Sequence, residues 1–304
     1  MLALILVLLL IVVLAWPVGL VIYANGRMSQ VSALSGAADT EGTTYLIAGS
    51  DERAEDSEEQ VEGARTDTVM VLHRVAGTTT LLSLPRDTYV EIPGVGFNKL
   101  NAAYTFGGPA TLTATVENLT GLTVDHYVEI GMDGVEQLVD AVGGVELCLD
   151  YDVDDWRSGL DWQAGCHHSD GATALAFSRM RYSDPLGDIG RAERQRQVVG
   201  AVLREATQPA TLVNPLAHVR LVNAGTDVVT TDEGSGVVAL GQMALALRAA
   251  TGENGQMGTP PIASYDYRPG GIGSAVQLDP ERTPGFFERL RTGDLTADDL
   301  APSF

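Results

Sequence analysis

The sequence predicts an α/β protein, in which helices cover both faces of a central mixed sheet, in one domain behind an N-terminal transmembrane helix. From residue 43 onward, β-like runs alternate with segments of helical spacing, which is typical of an α/β domain. The chain has 304 residues, of which 45% are hydrophobic. That length and apolar content suffice for a large core.

The first segment is almost wholly apolar. At 1.5 Å per residue, the roughly 23 residues from Leu2 to Ala24 form a helix of about 34 Å, which is enough to cross a bilayer core. A cleaved signal peptide is the alternative, although Tyr23–Gly26 is a poor cleavage site. No Lys or Arg precedes the apolar run, so either orientation or an upstream start codon stays open. We expect a single-pass anchor at residues 1–24, with the acidic remainder outside the cytoplasm.

The following segments are predicted in chain order. Residues 25–42 are small and polar and predict a tether. Three β-like runs follow, at Thr44–Ala48, Thr68–Arg74 and Thr79–Leu84, and the acidic stretch Asp51–Ala64 is predicted as a mobile loop. The remaining predictions are helices at 100–106, 110–119, 133–142, 171–180, 190–206, 232–250 and 283–290, and strands at 127–130, 145–149, 262–267 and 274–278. We assign residues 43–292 to one extracytoplasmic domain and 293–304 to a C-terminal tail.

The charge balance excludes some partners. With 40 acidic and 19 basic residues, the formal net charge is −21. Duplex binding needs a basic surface, so nucleic acid is not the expected partner.

The two cysteines, Cys148 and Cys166, agree with an extracytoplasmic location. In an oxidising compartment they predict one disulfide that closes a loop of about 19 residues. Free thiols are an alternative. A metal site is disfavoured, because the adjacent His167 and His168 do not give zinc-like spacing.

The basic residues concentrate where anions are bound. The strand Leu81–Leu84 leads into Arg86 and Asp87, and the carboxyl end of a strand is where open α/β sheets place ligand groups. Lys99, the only lysine, precedes a helix. Six arginines fall between residues 179 and 204, and converging guanidinium groups suit a diphosphate. The alternatives are a salt-bridged surface helix and a turn-stabilising Arg86–Asp87 ion pair.

Two aspartates complement these cations. Asp51 follows the first strand and Asp67 leads into the second, so they meet at one sheet edge if the strands are neighbours. Mg²⁺ is held by one or two carboxylates together with phosphate oxygens and water. The alternative role for either aspartate is the capping of a turn or helix.

Together these segments resemble the LytR-CpsA-Psr family of bacterial envelope proteins. The match is strong over residues 43–206 and rests on ordered short motifs: Thr66-Asp67-Thr68, Ser83-Leu84-Pro85-Arg86-Asp87-Thr88, Asn98-Lys99-Leu100-Asn101-Ala102-Ala103-Tyr104, Val142-Gly143-Gly144-Val145, Asp170-Gly171-Ala172-Thr173-Ala174-Leu175-Ala176, Arg179-Met180-Arg181, and Asp188-Ile189-Gly190-Arg191-Ala192-Glu193-Arg194-Gln195.

The resemblance implies a membrane-bound phosphotransferase outside the cytoplasm. Such an enzyme moves a glycopolymer from a polyprenyl-diphosphate carrier to a cell-wall acceptor, usually peptidoglycan. It implies a central sheet between helices and an apolar pocket for the lipid tail. Asp51 and Asp67 resemble residues near Mg²⁺, for which Mn²⁺ is an alternative. The residues that resemble those around the diphosphate are Arg65, Arg86, Lys99, Arg179, Arg181, Arg191 and Gln195.

The expected roles follow from this assignment. We expect Arg86 and Arg191 to contact the diphosphate most directly, and Asp87 is a general-base candidate by adjacency alone. Hydrolysis of the diphosphate by water is an expected side reaction. A non-catalytic protein that binds the carrier lipid, or an envelope regulator, is the competing function. The sequence does not name the polymer or define the oligomeric state.

Overall fold

The computed structural model describes residues 2–50, 66–131, 134–181, 183–184, 188–252, 255–296 and 298–300. Its helices are α1 (Leu2–Asn25), α2 (Leu100–Thr120), α3 (Gly134–Val142), α4 (Gly171–Arg179), α5 (Asp188–Ala206), α6 (Pro209–Leu212), α7 (Pro215–Val228), α8 (Val237–Thr251) and α9 (Thr283–Thr292). Its strands are β1 (Ser29–Val31), β2 (Thr43–Ser50), β3 (Thr66–Val75), β4 (Thr78–Leu84), β5 (Tyr89–Ile92), β6 (Gly96–Lys99), β7 (His126–Gly131), β8 (Val145–Leu149), β9 (Val153–Asp155), β10 (Leu160–Trp162), β11 (Gly165–Ser169), β12 (Val229–Asp232), β13 (Gln256–Gly258), β14 (Ile262–Tyr267) and β15 (Ala275–Leu278).

A seven-stranded mixed sheet organises the described residues, in the order β1-β12-β7-β2-β3-β4-β13. The strand β2 pairs antiparallel with β3 and parallel with β7. Alternate residues of β2 therefore face opposite sides. Leu46 and Ala48 pack with α2 and α9, whereas Tyr45 and Ile47 pack with α8. The predicted sheet with helices on both faces is confirmed.

A break divides α2, as its sequence predicts. Gly107 and Gly108 leave the helical region, and Gly108 adopts a φ of +64°, which favours glycine. A Cβ added at Gly107 would lie 2.0 Å from the Oγ1 of Thr111. The break therefore separates a first half of α2, residues 100–106, from the rest of the helix.

Several predicted boundaries differ from the structure. In the predicted tether, Ser29–Val31 form β1, which pairs in parallel with β12, and Met28 and Ala33 are buried. In the predicted tail, Leu295 and Leu300 are buried in the core. A three-residue strand carries too little alternation to be recognised in a sequence. The predicted loop Asp51–Ala64 lies outside the described residues.

The predicted helix at 232–250 begins later. Residues 229–232 form β12 instead, and α8 starts at Val237. Asp232 is buried, and its Oδ1 accepts a hydrogen bond of 2.8 Å from the backbone N–H of Tyr127. This contact fixes Asp232 at the end of a strand and not in a helix.

The helix α1 covers the segment predicted as the anchor. Among the residues that the structure describes, no helix has both the length and the mean hydropathy that crossing a membrane requires. The described part of α1 runs beside α7. Trp16 Nε1 of α1 donates to His218 Nδ1 (3.2 Å), and Arg27, two residues after α1, pairs with Asp227 (2.9 Å).

The predicted disulfide is present between Cys148 and Cys166, which oppose each other on β8 and β11. The side-chain amide of Gln197 on α5 brackets the same strand, because it accepts from the N–H of Cys148 (3.2 Å) and donates to its carbonyl (3.1 Å).

We expect reduction of this disulfide to lower the free energy of unfolding by about 3 kcal/mol, since an open loop gains entropy in the unfolded chain. Urea denaturation with and without dithiothreitol measures the difference. The double variant Cys148→Ala/Cys166→Ala is the control and should not respond to the reductant. An equal midpoint for oxidised and reduced protein would contradict the prediction.

A buried histidine predicts how stability depends on pH. His73 is 1% exposed, and its Nδ1 lies 3.0 Å from the Oγ1 of Thr44. Burial lowers the pKa of His73 below its usual value of 6.5, against smaller opposing effects of the Arg291 backbone and Asp125. Below pH 6.5 the unfolded chain therefore takes up a proton that the folded protein resists.

We expect the free energy of unfolding to fall as the pH drops below 6.5 toward the lowered pKa of folded His73, and to be independent of this group above 6.5. Denaturation between pH 5.5 and 7.5 would measure this slope. In His73→Gln the slope should decrease. A variant with the slope of the parent protein would assign the effect to other histidines.

Candidate active site

A cavity of about 1690 Å³ lies at the carboxyl end of β4, between the first half of α2, α5 and the β14–β15 hairpin. One part of its lining is cationic and another is apolar. The cationic residues are Arg86, Lys99, Arg181, Arg191, Arg196 and Arg204. The apolar residues include Val69, Met70, Leu84, Ala102, Phe106, Met257, Ile262, Ile272 and Val276.

The turn that follows β4 is fixed by backbone hydrogen bonds. The Arg86 carbonyl accepts from the N–H of Asn101, and the Asp87 carbonyl accepts from the N–H of Val276, both at 2.9 Å. Thr88 closes the turn, because its N–H (3.0 Å) and its hydroxyl (2.6 Å) both donate to the carbonyl of Pro85. The turn therefore presents Arg86 from a backbone tied to α2 and to β15.

Asp87 joins the two cations of this turn. Its Oδ1 lies 3.1 Å from the Nζ of Lys99, and its Oδ2 lies 3.6 Å from the Nε of Arg86. These three side chains are 19% to 30% exposed, so water screens them only in part. The sequence alternative of a turn-stabilising ion pair is present, and it lies within the cavity.

The helix α5 supplies the opposite side of the cavity. The hydroxyl of Thr68 donates to the Oε1 of Gln195 at 2.7 Å, and the Nη1 of Arg196 donates to the Oγ of Ser83 at 3.2 Å. Burial lowers the pKa of Arg196, while nearby Glu193 acts in the opposite direction. An arginine stays protonated under such a shift, so Arg196 places a positive charge inside the cavity.

Arg196 and Arg204 were not among the predicted site residues. Positions 196, 200 and 204 are spaced by four and share one face of α5. All three line the cavity. The small Gly200 between two arginines on one helical face is the signal that could have identified this face.

Arg194 has a structural position on the other side of α5. It is 4% exposed, and its Nε donates to the carbonyl of Phe177 at 2.9 Å. It also donates to the carbonyl of Met180 and pairs with the buried carboxylate of Asp184. These contacts hold the end of α4 and the segment with Arg181 against α5.

The structure brings most of the predicted diphosphate residues together. Those that line the cavity are Arg86, Lys99, Arg181, Arg191 and Gln195, and the general-base candidate Asp87 lines it as well. Arg179 is exposed at the end of α4 and is not among the lining residues. Arg65 lies outside the described residues.

Of the two predicted magnesium ligands, the structure describes only the backbone of Asp67. Ser50 pairs with Thr66 and Gly49 with Thr68, so Asp67 occupies a bulge in β3 opposite the end of β2. Asp51 and the side chain of Asp67 lie outside the described part of the structure. The register places position 67 opposite the end of β2, next to the pairing of Ser50 with Thr66, and a carboxylate is a donor that Mg²⁺ prefers.

The fold and the cavity define an α/β protein with a pocket that is cationic in one part and apolar in another, and comparison with known sequences specifies the family. A model described as the LytR_cpsA_psr family matches residues 22–254. The chain therefore belongs to the LytR_cpsA_psr family, as its motifs predict.

Named relatives agree with this assignment. The chain is 43% identical over 283 residues to "Probable cell wall biosynthesis protein LcpB" of Corynebacterium glutamicum, covering 89% of this chain and 66% of the relative. It is 42% identical over 176 residues to "Polyisoprenyl-teichoic acid–peptidoglycan teichoic acid transferase TagU" of Enterococcus faecalis, covering 57% of this chain and 56% of the relative. The chain thus spans 56% to 66% of the length of these two curated relatives.

A solved structure shares the fold. The "LytR-Csp2A-Psr enzyme from Actinomyces oris" superposes with a TM-score of 0.69 at 22% sequence identity. The superposition covers 90% of this chain and 98% of the other.

Proposed function

We propose that this chain is an extracytoplasmic phosphotransferase that moves a glycopolymer from a polyprenyl-diphosphate carrier to a cell-wall acceptor, peptidoglycan. The observation that carries the proposal is the composition of the cavity, which joins a cationic surface to an apolar wall. A diphosphate attached to a long isoprenoid chain has the matching composition. The names of the two curated relatives, which refer to cell-wall biosynthesis and teichoic acid transfer, support the same function.

In the proposed reaction, a hydroxyl oxygen of the acceptor attacks the phosphorus that bears the glycopolymer. A new P–O bond forms, the bond to the bridging oxygen breaks, polyprenyl phosphate leaves with the bonding electrons, and the hydroxyl proton passes to the solvent. Arg86 and Arg191 bind the phosphate oxygens and stabilise charge in the transition state, which is the main protein contribution to phosphoryl transfer. Water as the acceptor gives diphosphate hydrolysis as a side reaction.

Asp87 positions cations in this scheme. It lies 3.1 Å from Lys99 Nζ and 3.6 Å from Arg86 Nε. Each of its two carboxylate oxygens therefore lies beside a cation. We therefore assign Asp87 to holding Arg86 and Lys99 in place, in preference to the general-base role suggested by its adjacency to Arg86.

Asp51 and Asp67 are the proposed ligands of Mg²⁺, with Mn²⁺ as the alternative. The bound ion would neutralise diphosphate charge. Asp51 follows β2 in the sequence and Asp67 belongs to β3, and a bound cation would offset their negative charges toward an anionic substrate.

We also propose that α1 anchors the protein in the cytoplasmic membrane, with the cavity outside the cytoplasm. The apolar sequence of Leu2–Ala24 supports the anchor. The disulfide between Cys148 and Cys166 supports the oxidising side of the membrane.

The test is incubation of the full chain with a defined polyprenyl-diphosphate-linked glycan, a peptidoglycan acceptor and Mg²⁺, followed by mass analysis. We expect polyprenyl phosphate and glycan-bearing peptidoglycan as products, and loss of both with EDTA or in Asp67→Ala. Addition of Mg²⁺ after EDTA should restore product formation by the parent protein. Binding of the donor without release of polyprenyl phosphate would instead establish the competing function of a non-catalytic carrier-lipid protein.

A further inference from the structure

An uncharged corner lies at the junction of α6 and α7. The stretch from Ala206 to Val219 contains no Asp, Glu, Lys or Arg, although 19% of the chain is charged. Three aliphatic side chains of this corner point into solvent: Leu212, Val213 and Leu216 are 58%, 79% and 75% exposed. We call these three residues the apolar corner. Exposed aliphatic side chains clustered in a strongly acidic protein indicate an interaction surface.

The apolar corner is level with the middle of α1. The indole N–H of Trp16 donates to His218, which lies two residues after Leu216, and the hydroxyl of Tyr23 donates to Asn223 at 3.1 Å. Arg27 then pairs with Asp227. Residue numbers rise together on the two helices, so α1 and α7 run parallel, with the start of α7 beside Trp16.

The alignment of α1 with α7 indicates what surrounds the apolar corner. From Trp16 back to Leu2, α1 continues for about 21 Å beyond the corner, and its sequence there is wholly apolar. If the part of α1 before Trp16 lies in the bilayer and the part from Trp16 onward packs on α7 outside it, Trp16 lies at the depth that tryptophan prefers, the interface with water. Leu212, Val213 and Leu216 then lie at the same depth.

We propose that the apolar corner inserts into the outer surface of the lipid bilayer beside α1, as a second membrane contact. This inference rests on the proposed anchoring by α1 and adds an orientation to it. The hydroxyl of Thr211 donates to the carbonyl of Glu205 (2.9 Å), the residue after Arg204. Since Arg204 lines the cavity, the corner fixes one end of α5 near the membrane that carries a lipid-linked donor.

The test uses the full chain in lipid nanodiscs with its disulfide intact. Leu212→Cys is labelled with a polarity-sensitive fluorophore, and lipids spin-labelled near the headgroup act as quencher. Val238→Cys is the matched control: Val238 is 59% exposed, and it follows Val237, whose N–H donates to Asn25 at the far end of α1. That end is about 14 Å along α1 from Trp16.

We expect the label at position 212 to lose most of its emission to the quencher and to shift to the blue, while the label at 238 does neither. Equal, weak quenching at both positions, in discs that retain the protein, would overturn the proposed lipid contact of the apolar corner. The proposed anchoring by α1 would still stand. Failure of the protein to remain with the discs would overturn the anchor itself. A blue shift at position 212 that depends on protein concentration, without quenching, would assign the corner to a second copy of the chain and overturn the lipid contact.

Discussion

Arg86→Ala is expected to lower the turnover of glycopolymer transfer by about 10³-fold, with little change in the free energy of unfolding. The backbone of this turn is held by the bonds from Asn101 and Val276, which the substitution keeps. The substitution removes the guanidinium group and its hydrogen-bond donors to the phosphate oxygens. Asp87 would then have Lys99 as its cationic partner beside the substrate. Steady-state kinetics with a defined lipid-linked donor measures the change.

Two further variants sharpen this prediction. Arg191→Ala should reduce turnover to a similar extent, because it removes charge from the opposite wall of the cavity. Arg268→Ala is the control, since the Arg268 side chain is 73% exposed and pairs with Asp266 outside the cavity lining. Near-normal turnover in Arg86→Ala would reject the assignment of this residue to the diphosphate.

Arg194→Met is expected to lower the free energy of unfolding by about 3 kcal/mol. The side chains of Arg194 and Asp184 are 5% and 3% exposed, so the variant leaves a buried carboxylate without its cation. The carbonyls of Phe177 and Met180 lose their guanidinium donor as well. Urea denaturation measures the loss.

A double-mutant cycle separates the ion pair from the packing of Arg194. Adding Asp184→Asn to Arg194→Met should recover part of the stability, because the neutral amide costs less to bury than a carboxylate. Arg204→Met is the control on the same helix and should change the unfolding free energy by less than about 0.5 kcal/mol. Strictly additive losses in the double variant would show that the two side chains do not act as a pair.

The sequence predicted the parts of the fold that have a clear period or a strong breaker. The strands β2, β3 and β4 and the break after Phe106 follow from alternation and from the Gly107–Pro109 triplet. The helix α4 begins at Gly171 as predicted, and the side chain of Asp170 caps it by accepting from the N–H of Thr173 at 2.9 Å. Local chemistry decides such features, so a single sequence contains them.

The features that the sequence missed depend on distant partners. Met257 is in β13 only because that strand pairs with β4, more than 170 residues earlier. Arg196 is a cavity residue because Ser83 lies opposite it. Arg194 shares a helix with Arg191 yet pairs inside the protein, and arginine content alone does not distinguish a buried structural guanidinium from one that faces a ligand.

One wall of the cavity comes from outside the part of the chain that the family model matches. That match ends at residue 254, whereas Met257, Ile262, Ile272 and Val276 all come later. The β14–β15 hairpin of this wall contacts the segment after Arg86 through the hydrogen bond from the Val276 N–H to the Asp87 carbonyl and through the rings of Tyr267 and Tyr89. Under the proposed function, substitutions in the hairpin can therefore change the selectivity for the shape of the donor while the cationic residues of the cavity stay the same.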